Sequence, residues 1–148
     1  MKFQSDLKFG QIYEKEFIKI MGFQTYKHET NKAIKEYDII VKHNTNETKY
    51  EIKADRLSYK PGNVCIEIAN CGRPSGITST KSDYWGYFVI KPDGYDLYLI
   101  PTEELKEMIN PKKYKVLRGG DGKKSELILI PISHLEKFKY ISQPKEYL

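Results

Sequence analysis

Cysteine, histidine and arginine are all scarce in this chain of 148 residues. Two cysteines, Cys65 and Cys71, are too few for a disulfide framework and lack the CxxC spacing of a zinc half-site. The three histidines, His28, His43 and His134, are scattered, with no partner nearby in sequence. Structural zinc and histidine-centred catalysis are therefore disfavoured, and Cys65 reads as a strand residue and Cys71 as a loop thiol. No apolar run approaches the roughly 18 residues that a membrane span requires. The opening Met1-Lys2-Phe3-Gln4-Ser5-Asp6 lacks the apolar stretch of a signal peptide. A cytoplasmic protein is the expectation.

What is present is an ordinary globular balance, 39% hydrophobic and 30% charged. The length suits one domain over residues 1–148 with a core that needs no staples. Net charge is +5, compatible with nucleic acid but not diagnostic of it. Only Arg56, Arg73 and Arg118 are arginine, so 22 of the 25 cationic residues are lysine. Lysine suits phosphate contact better than bidentate reading of bases. Lys106, Lys112, Lys113, Lys115, Arg118, Lys123 and Lys124 crowd the last third. An AT-rich coding sequence gives the same lysine bias, so it carries little weight.

Hydrophobic spacing predicts a helix to about Met21, with Ser5 or Asp6 as its cap and Gly22 as its stop. Its apolar positions are Phe9, Ile12, Tyr13, Phe17 and Ile20. A short extended segment, Phe23 to Lys27, follows. Tyr37 to Lys42 and Lys49 to Ala54 read as two strands joined by the turn formers His43-Asn44-Thr45-Asn46-Glu47. Val64 to Ala69 alternates as a third strand, Asn70 to Gly76 reads as a loop, and Tyr84 to Ile90 and Tyr95 to Ile100 as further strands. Two strand–proline–helix units recur, Asp96 to Pro101 and Glu126 to Pro131. The second helix carries a capping-box pattern, Ser133 with Glu136. Gly119-Gly120-Asp121-Gly122 reads as a mobile loop without the ending of a P-loop. The expected fold is α/β, with a mixed sheet.

The chemistry concentrates in Tyr37-Asp38-Ile39-Ile40-Val41 and Tyr50-Glu51-Ile52-Lys53. Strand alternation puts Glu51 and Lys53 on one face and Ile52 on the other. A hairpin turning at Asn44-Thr45 sets Asp38 opposite Glu51, with side chains about 5 Å apart. Like charges so placed destabilise unless a counter-charge intervenes, and Mg²⁺ accepts one or two carboxylates plus substrate phosphate. Lys53 beside such an ion could orient or deprotonate a water, or stabilise phosphate charge. The bland alternative is a set of exposed charges on an edge hairpin. Asp55 is expected to point away from Lys53.

This arrangement resembles the PD-(D/E)xK nuclease superfamily. Asp38 matches the motif aspartate and Glu51-Ile52-Lys53 the (D/E)xK element, while Tyr37 stands where the motif has proline. The resemblance implies that the main-chain carbonyl of Ile52 joins Asp38 and Glu51 in holding Mg²⁺, with Mn²⁺ as a substitute. Gly10-Gln11-Ile12-Tyr13-Glu14-Lys15-Glu16-Phe17-Ile18 is similar to the opening helix of archaeal Holliday-junction resolvases, which implies a role for Glu14. Glu16 on the opposite flank competes with it, and Glu67 is a further candidate ligand. Gly76 to Trp85 has the flavour of small phage-encoded nucleases.

The resemblance covers roughly Phe9 to Glu67 and implies a single domain with a central mixed sheet flanked by helices, restriction-endonuclease-like. It implies a Mg²⁺-dependent endonuclease hydrolysing phosphodiesters in DNA, acting on junctions or branches. Asp38, Glu51, Lys53 and Glu14 would be catalytic. Arg73 and Lys81, in polar segments beside the sheet end, are candidates for phosphate contact. Tyr84 and Trp85 are either base-stacking or core aromatics. A homodimer would supply the second site that symmetric double-strand cutting needs. Two rivals remain, a sequence-specific restriction endonuclease and a noncatalytic DNA-binding or assembly subunit that keeps the fold.

Overall fold

Helix α1 (Lys2–Met21) forms first because Phe17 has apolar neighbours one helical turn away on either side. In the computed structural model, residues 2–31, 37–56, 61–109 and 113–144 are described. Phe17 is fully buried, and Tyr13, Ile20 and Met21 pack around it, half-buried. Ile12, expected on the same stripe, is 53% exposed. The helix already runs at Lys2, so Ser5 and Asp6 lie within it rather than capping it. Gly22, at φ +66°, ends it by donating to the Ile18 carbonyl at 3.0 Å.

The chain then passes through β1 (Tyr26–His28), β2 (Ile39–His43), β3 (Asn46–Asp55), β4 (Asn63–Asn70) and β5 (Arg73–Pro74). A 3₁₀ turn, Gly76–Thr78, leads to β6 (Tyr84–Lys91), β7 (Gly94–Pro101) and helix α2 (Thr102–Ile109). The last part holds β8 (Val116–Gly119), β9 (Ser125–Pro131), a 3₁₀ segment Ile132–Phe138, and β10 (Lys139–Pro144). The strands make two sheets. One has six strands in the order β1-β2-β3-β6-β7-β10, mixed because β3 and β6 run parallel. The other has four in the order β5-β4-β9-β8. The fold is therefore α/β, a single domain with a mixed central sheet. α1 lies against one apolar cluster of that sheet, but the second cluster is shared with the four-stranded sheet as well as with α2.

Alternation along β6 explains both clusters. Phe88 joins Phe17, Ile39, Val41, Tyr50 and Ile52, whereas Trp85, Tyr87 and Val89 join Val64, Ile66, Ile128 and Ile130. Gly86 sits opposite Phe17, where a Cβ would lie 2.8 Å from the ring and 3.0 Å from the Ile52 side chain.

Several expectations change. The strand at Val64 to Ala69 belongs to a second sheet, where one mixed sheet was expected. The Gly119–Gly122 segment closes the β8–β9 hairpin through a short 3₁₀ turn, Asp121–Lys123. The Ser133/Glu136 capping box does not form: the segment starts at Ile132 after Pro131, with no side-chain cap, and Glu136 pairs with Lys139 at 3.1 Å. Strands β8 and β10 fall in stretches that the sequence did not mark as strands. Among the described residues no helix is long and apolar enough to cross a membrane.

The Gly86 contact yields a stability test. Gly86→Ala is expected to cost about 1–3 kcal/mol by overpacking Phe17, seen as a lower denaturant midpoint with unchanged slope. An unchanged midpoint would show that α1 and β6 are not in this contact.

Candidate active site

The site is built on the β2–β3 hairpin. Asn44, at φ +53°, turns the chain, and Ile39 pairs with Tyr50 and Ile40 with Lys49. The paired register ends at Ile39, and Asp38, one residue before β2, lies near enough to Glu51 for their charges to interact. The Asp38 amide donates to the Tyr50 carbonyl at 2.9 Å, one residue out of the ladder's register. The Asp38 carboxylate folds back onto the same strand, where Oδ2 accepts from the Ile52 amide at 2.8 Å. Ile52 is buried in the α1-side cluster, so it anchors the strand while Glu51 and Lys53 project to the other face.

Asp38 carries the electrostatic strain. Burial first, and then the Glu51 and Glu14 charges, push its carboxyl up to about 6, against the pull of the Ile52 amide and Lys53. Lys53 Nζ lies 3.0 Å from Glu51 Oε1. Crowding by protein opposes its charge, but Glu51, through proximity and a hydrogen bond, with Asp38 and Glu67 behind it, raises the ammonium above the usual lysine range. Its tip is also 5.7 Å from the Trp85 ring centroid.

These groups open into a cleft of about 870 Å³ lined by Glu14, Asp38, Glu51, Ile52, Lys53 and Glu67 on the acidic side. The facing wall comes from the β4–β5 turn and the 3₁₀ turn beyond it, with Asn70, Arg73, Ser75, Ser79 and Thr80. That wall is fastened to β4: the Ser75 amide and the Thr78 hydroxyl both donate to the Ile68 carbonyl, at 3.2 and 2.6 Å. Gly76, at φ +57°, permits this approach, since a Cβ there would overlap the Glu67 carbonyl. Glu67 itself accepts from Ser75 Oγ at 2.9 Å and Ser125 Oγ at 2.8 Å, which locks both its oxygens.

The first helix contributes Glu14, which lines the cleft and is only 4% exposed. Glu16 instead accepts from the Tyr95 hydroxyl at 3.1 Å and is not among the lining residues. Arg73 lines the wall; Lys81 is exposed and does not. Trp85, 1% exposed, is a core residue, and half-buried Tyr84 has one ring face stacked on Tyr50 at 5.6 Å. Asp55 is corrected: it lines a smaller adjoining cavity together with Lys53, Cys65 and Glu67, as residues two apart on a strand must. It accepts from the Tyr87 hydroxyl at 3.1 Å.

His28, without a partner nearby in sequence, has one in the fold: Nε2 lies 2.7 Å from Glu14 Oε1. No spacing rule reveals this pair, because it depends on β1 docking beside β2. The serines and threonine of the far wall were equally hidden, inside what read as a loop.

Among the described residues, no three His, Cys, Asp or Glu side chains form a ready-made metal cage. Asp38, Glu51 and the Ile52 carbonyl are nonetheless a donor set of the kind Mg²⁺ accepts while keeping several waters. The strained Asp38 carboxyl is where a cation would bring relief. Comparison with known proteins found no match to any family model, curated protein or solved structure.

The Asp38 strain has a pH signature. A carboxyl raised from 3.8 to about 6 binds its proton more tightly in the folded state. The stability linked to it is full below about 4 and is lost as pH rises through about 6. Asp38→Asn escapes that loss. Without metal it should be more stable than the parent at pH 8 by about 1–3 kcal/mol, with the gap closing by pH 4. Paired unfolding curves measure this, and a less stable variant at pH 8 would contradict the assigned repulsion.

Proposed function

We propose that the protein is a divalent-cation-dependent nuclease that hydrolyses phosphodiester bonds in DNA, with a restriction-endonuclease-like arrangement of sheet and helix. The observation that carries the reading is an acidic cleft in a basic protein. Glu14, Asp38, Glu51 and Glu67 line it against Lys53 and Arg73, while the whole chain is +5. A phosphate approaching such a cleft meets net repulsion unless a cation accompanies it. The basic residues outside the cleft suit the flanking phosphates.

In this reading Asp38, Glu51 and the Ile52 carbonyl hold Mg²⁺, or Mn²⁺ in its place. The bound ion supplies a Lewis acid for the phosphate and lowers the pKa of a water. Lys53 acts as a hydrogen-bond donor rather than a base. Its raised pKa keeps the ammonium charged at neutral pH, where it orients the attacking water or steadies charge on a phosphoryl oxygen. Glu14 assists from the helix side, and Arg73 meets phosphate from the far wall. A preference for junctions or branches follows from the likeness of α1 to resolvases, and two copies would supply two cuts.

The test pairs a binding titration with single-turnover cleavage of a four-way junction, single-stranded DNA and plain duplex in Mg²⁺. Lys53→Ala should bind DNA nearly as well as the parent at equal salt yet cleave at least ~100-fold more slowly. Asp38→Asn should cleave as poorly, and without metal should bind DNA more tightly than the parent. Parental cleavage by both variants would place the active site elsewhere. Binding without cleavage of any substrate would favour the noncatalytic subunit, and cuts at one sequence in duplex would favour a restriction enzyme.

A further inference from the structure

We propose that His28 is a positioning residue for the cation site, its imidazole holding the Glu14 carboxylate in the cleft beside Asp38. The inference rests on the metal-dependent reading above. Glu14 and His28 come from α1 and β1 and meet at 2.7 Å with side chains only 5% and 13% exposed. A carboxylate without a proton only accepts, so in that pairing the imidazole donates from Nε2. The distance is that of a charge-assisted hydrogen bond.

The surroundings point to function rather than to packing. β1 is three residues long and lies at the edge of the six-stranded sheet, where His28 pairs with Ile39. The next residue, Glu29, donates its amide to the Asp38 carbonyl at 2.7 Å. One short strand thus fixes both the backbone of Asp38 and the side chain of Glu14. A pair serving stability alone is poorly sited here. Its carboxylate adds to the repulsion on Asp38, and apolar residues would fill a buried site at no such cost. A carboxylate held beside two others is useful when a cation and its waters are bound among them. Outer hydrogen bonds of this kind set the orientation of such groups.

The experiment is calorimetric titration of the whole chain with Mn²⁺, which reads the site without any cleavage. His28→Leu should weaken Mn²⁺ binding about 10-fold. His28→Gln, whose amide donor reaches about as far as Nε2, should stay within about 3-fold of the parent. The double variant with Glu14→Ala should bind no more weakly than Glu14→Ala alone, because the two residues act as one unit. His28→Leu binding like the parent, or additive losses in the double variant, would overturn the proposal. Should His28→Leu fail to fold by circular dichroism, His28→Gln is compared with His28→Asn, whose donor falls short of Glu14. Equal affinities in that pair would also overturn it. A parent that binds no Mn²⁺ removes the metal reading and this inference with it, whereas a parent that binds while His28 proves indifferent removes the inference alone.

Discussion

The Asp38 and Glu51 carboxylates, brought together at the open end of the β2–β3 hairpin, repel each other, and much of the site is arranged around that repulsion. The Asp38–Tyr50 bond fixes the backbone, and the Ile52 amide fixes the Asp38 side chain at 2.8 Å. The Asp38 carboxylate cannot swing away without breaking the second of these bonds. Lys53 offsets part of the charge from one side, at 3.0 Å from Glu51. Glu14, delivered by α1 and held by His28, adds to it from another. The strain persists because the surrounding core over-determines it: Phe17, Tyr50 and Ile52 are buried in one cluster, and moving the strand would disturb all three.

The same geometry separates two jobs. Under the proposed function, lysines outside the cleft would supply a salt-sensitive attraction for phosphates, whereas the cleft presents acceptors in place of cations. A polyanion drawn to the surface would be admitted to the cleft only with a divalent ion. On that proposal binding and chemistry would draw on different residues, and variants in the cleft would act on the transition state more than on ground-state affinity. The Glu67–Ser75–Ser125 network belongs to this design. It ties the turn after β5 to β4 and β9 of the second sheet, and with Gly76 it determines where the far wall stands.

How much of this could be read from the residues depends on the range of the interactions. The β2–β3 register was legible, because period-two alternation and the Asn44-Thr45 turn leave one pairing that buries Ile39, Val41 and Tyr50 together. The helix was legible from its apolar spacing, though its start was not, since capping signals at Ser5 and Asp6 are local and the helix simply continues through them. The second sheet was not legible. Strands β8 and β9 find each other and β4 only in three dimensions, and β8, four residues long, is too short to show a pattern. The Glu14–His28 pair was hidden for a like reason: a three-residue strand has too little pattern to announce its neighbour. The error at Asp55 had no such excuse, since alternation already places it on the face of Lys53.

A cation held jointly by Asp38 and Glu51 is the claim on which the account stands. The most direct measurement is anomalous diffraction from crystals soaked in Mn²⁺. The account predicts a peak within about 2.3 Å of an oxygen from both carboxylates, with the Ile52 carbonyl as a further neighbour. No peak between them at saturating Mn²⁺, or an ion held by other residues instead, would contradict it.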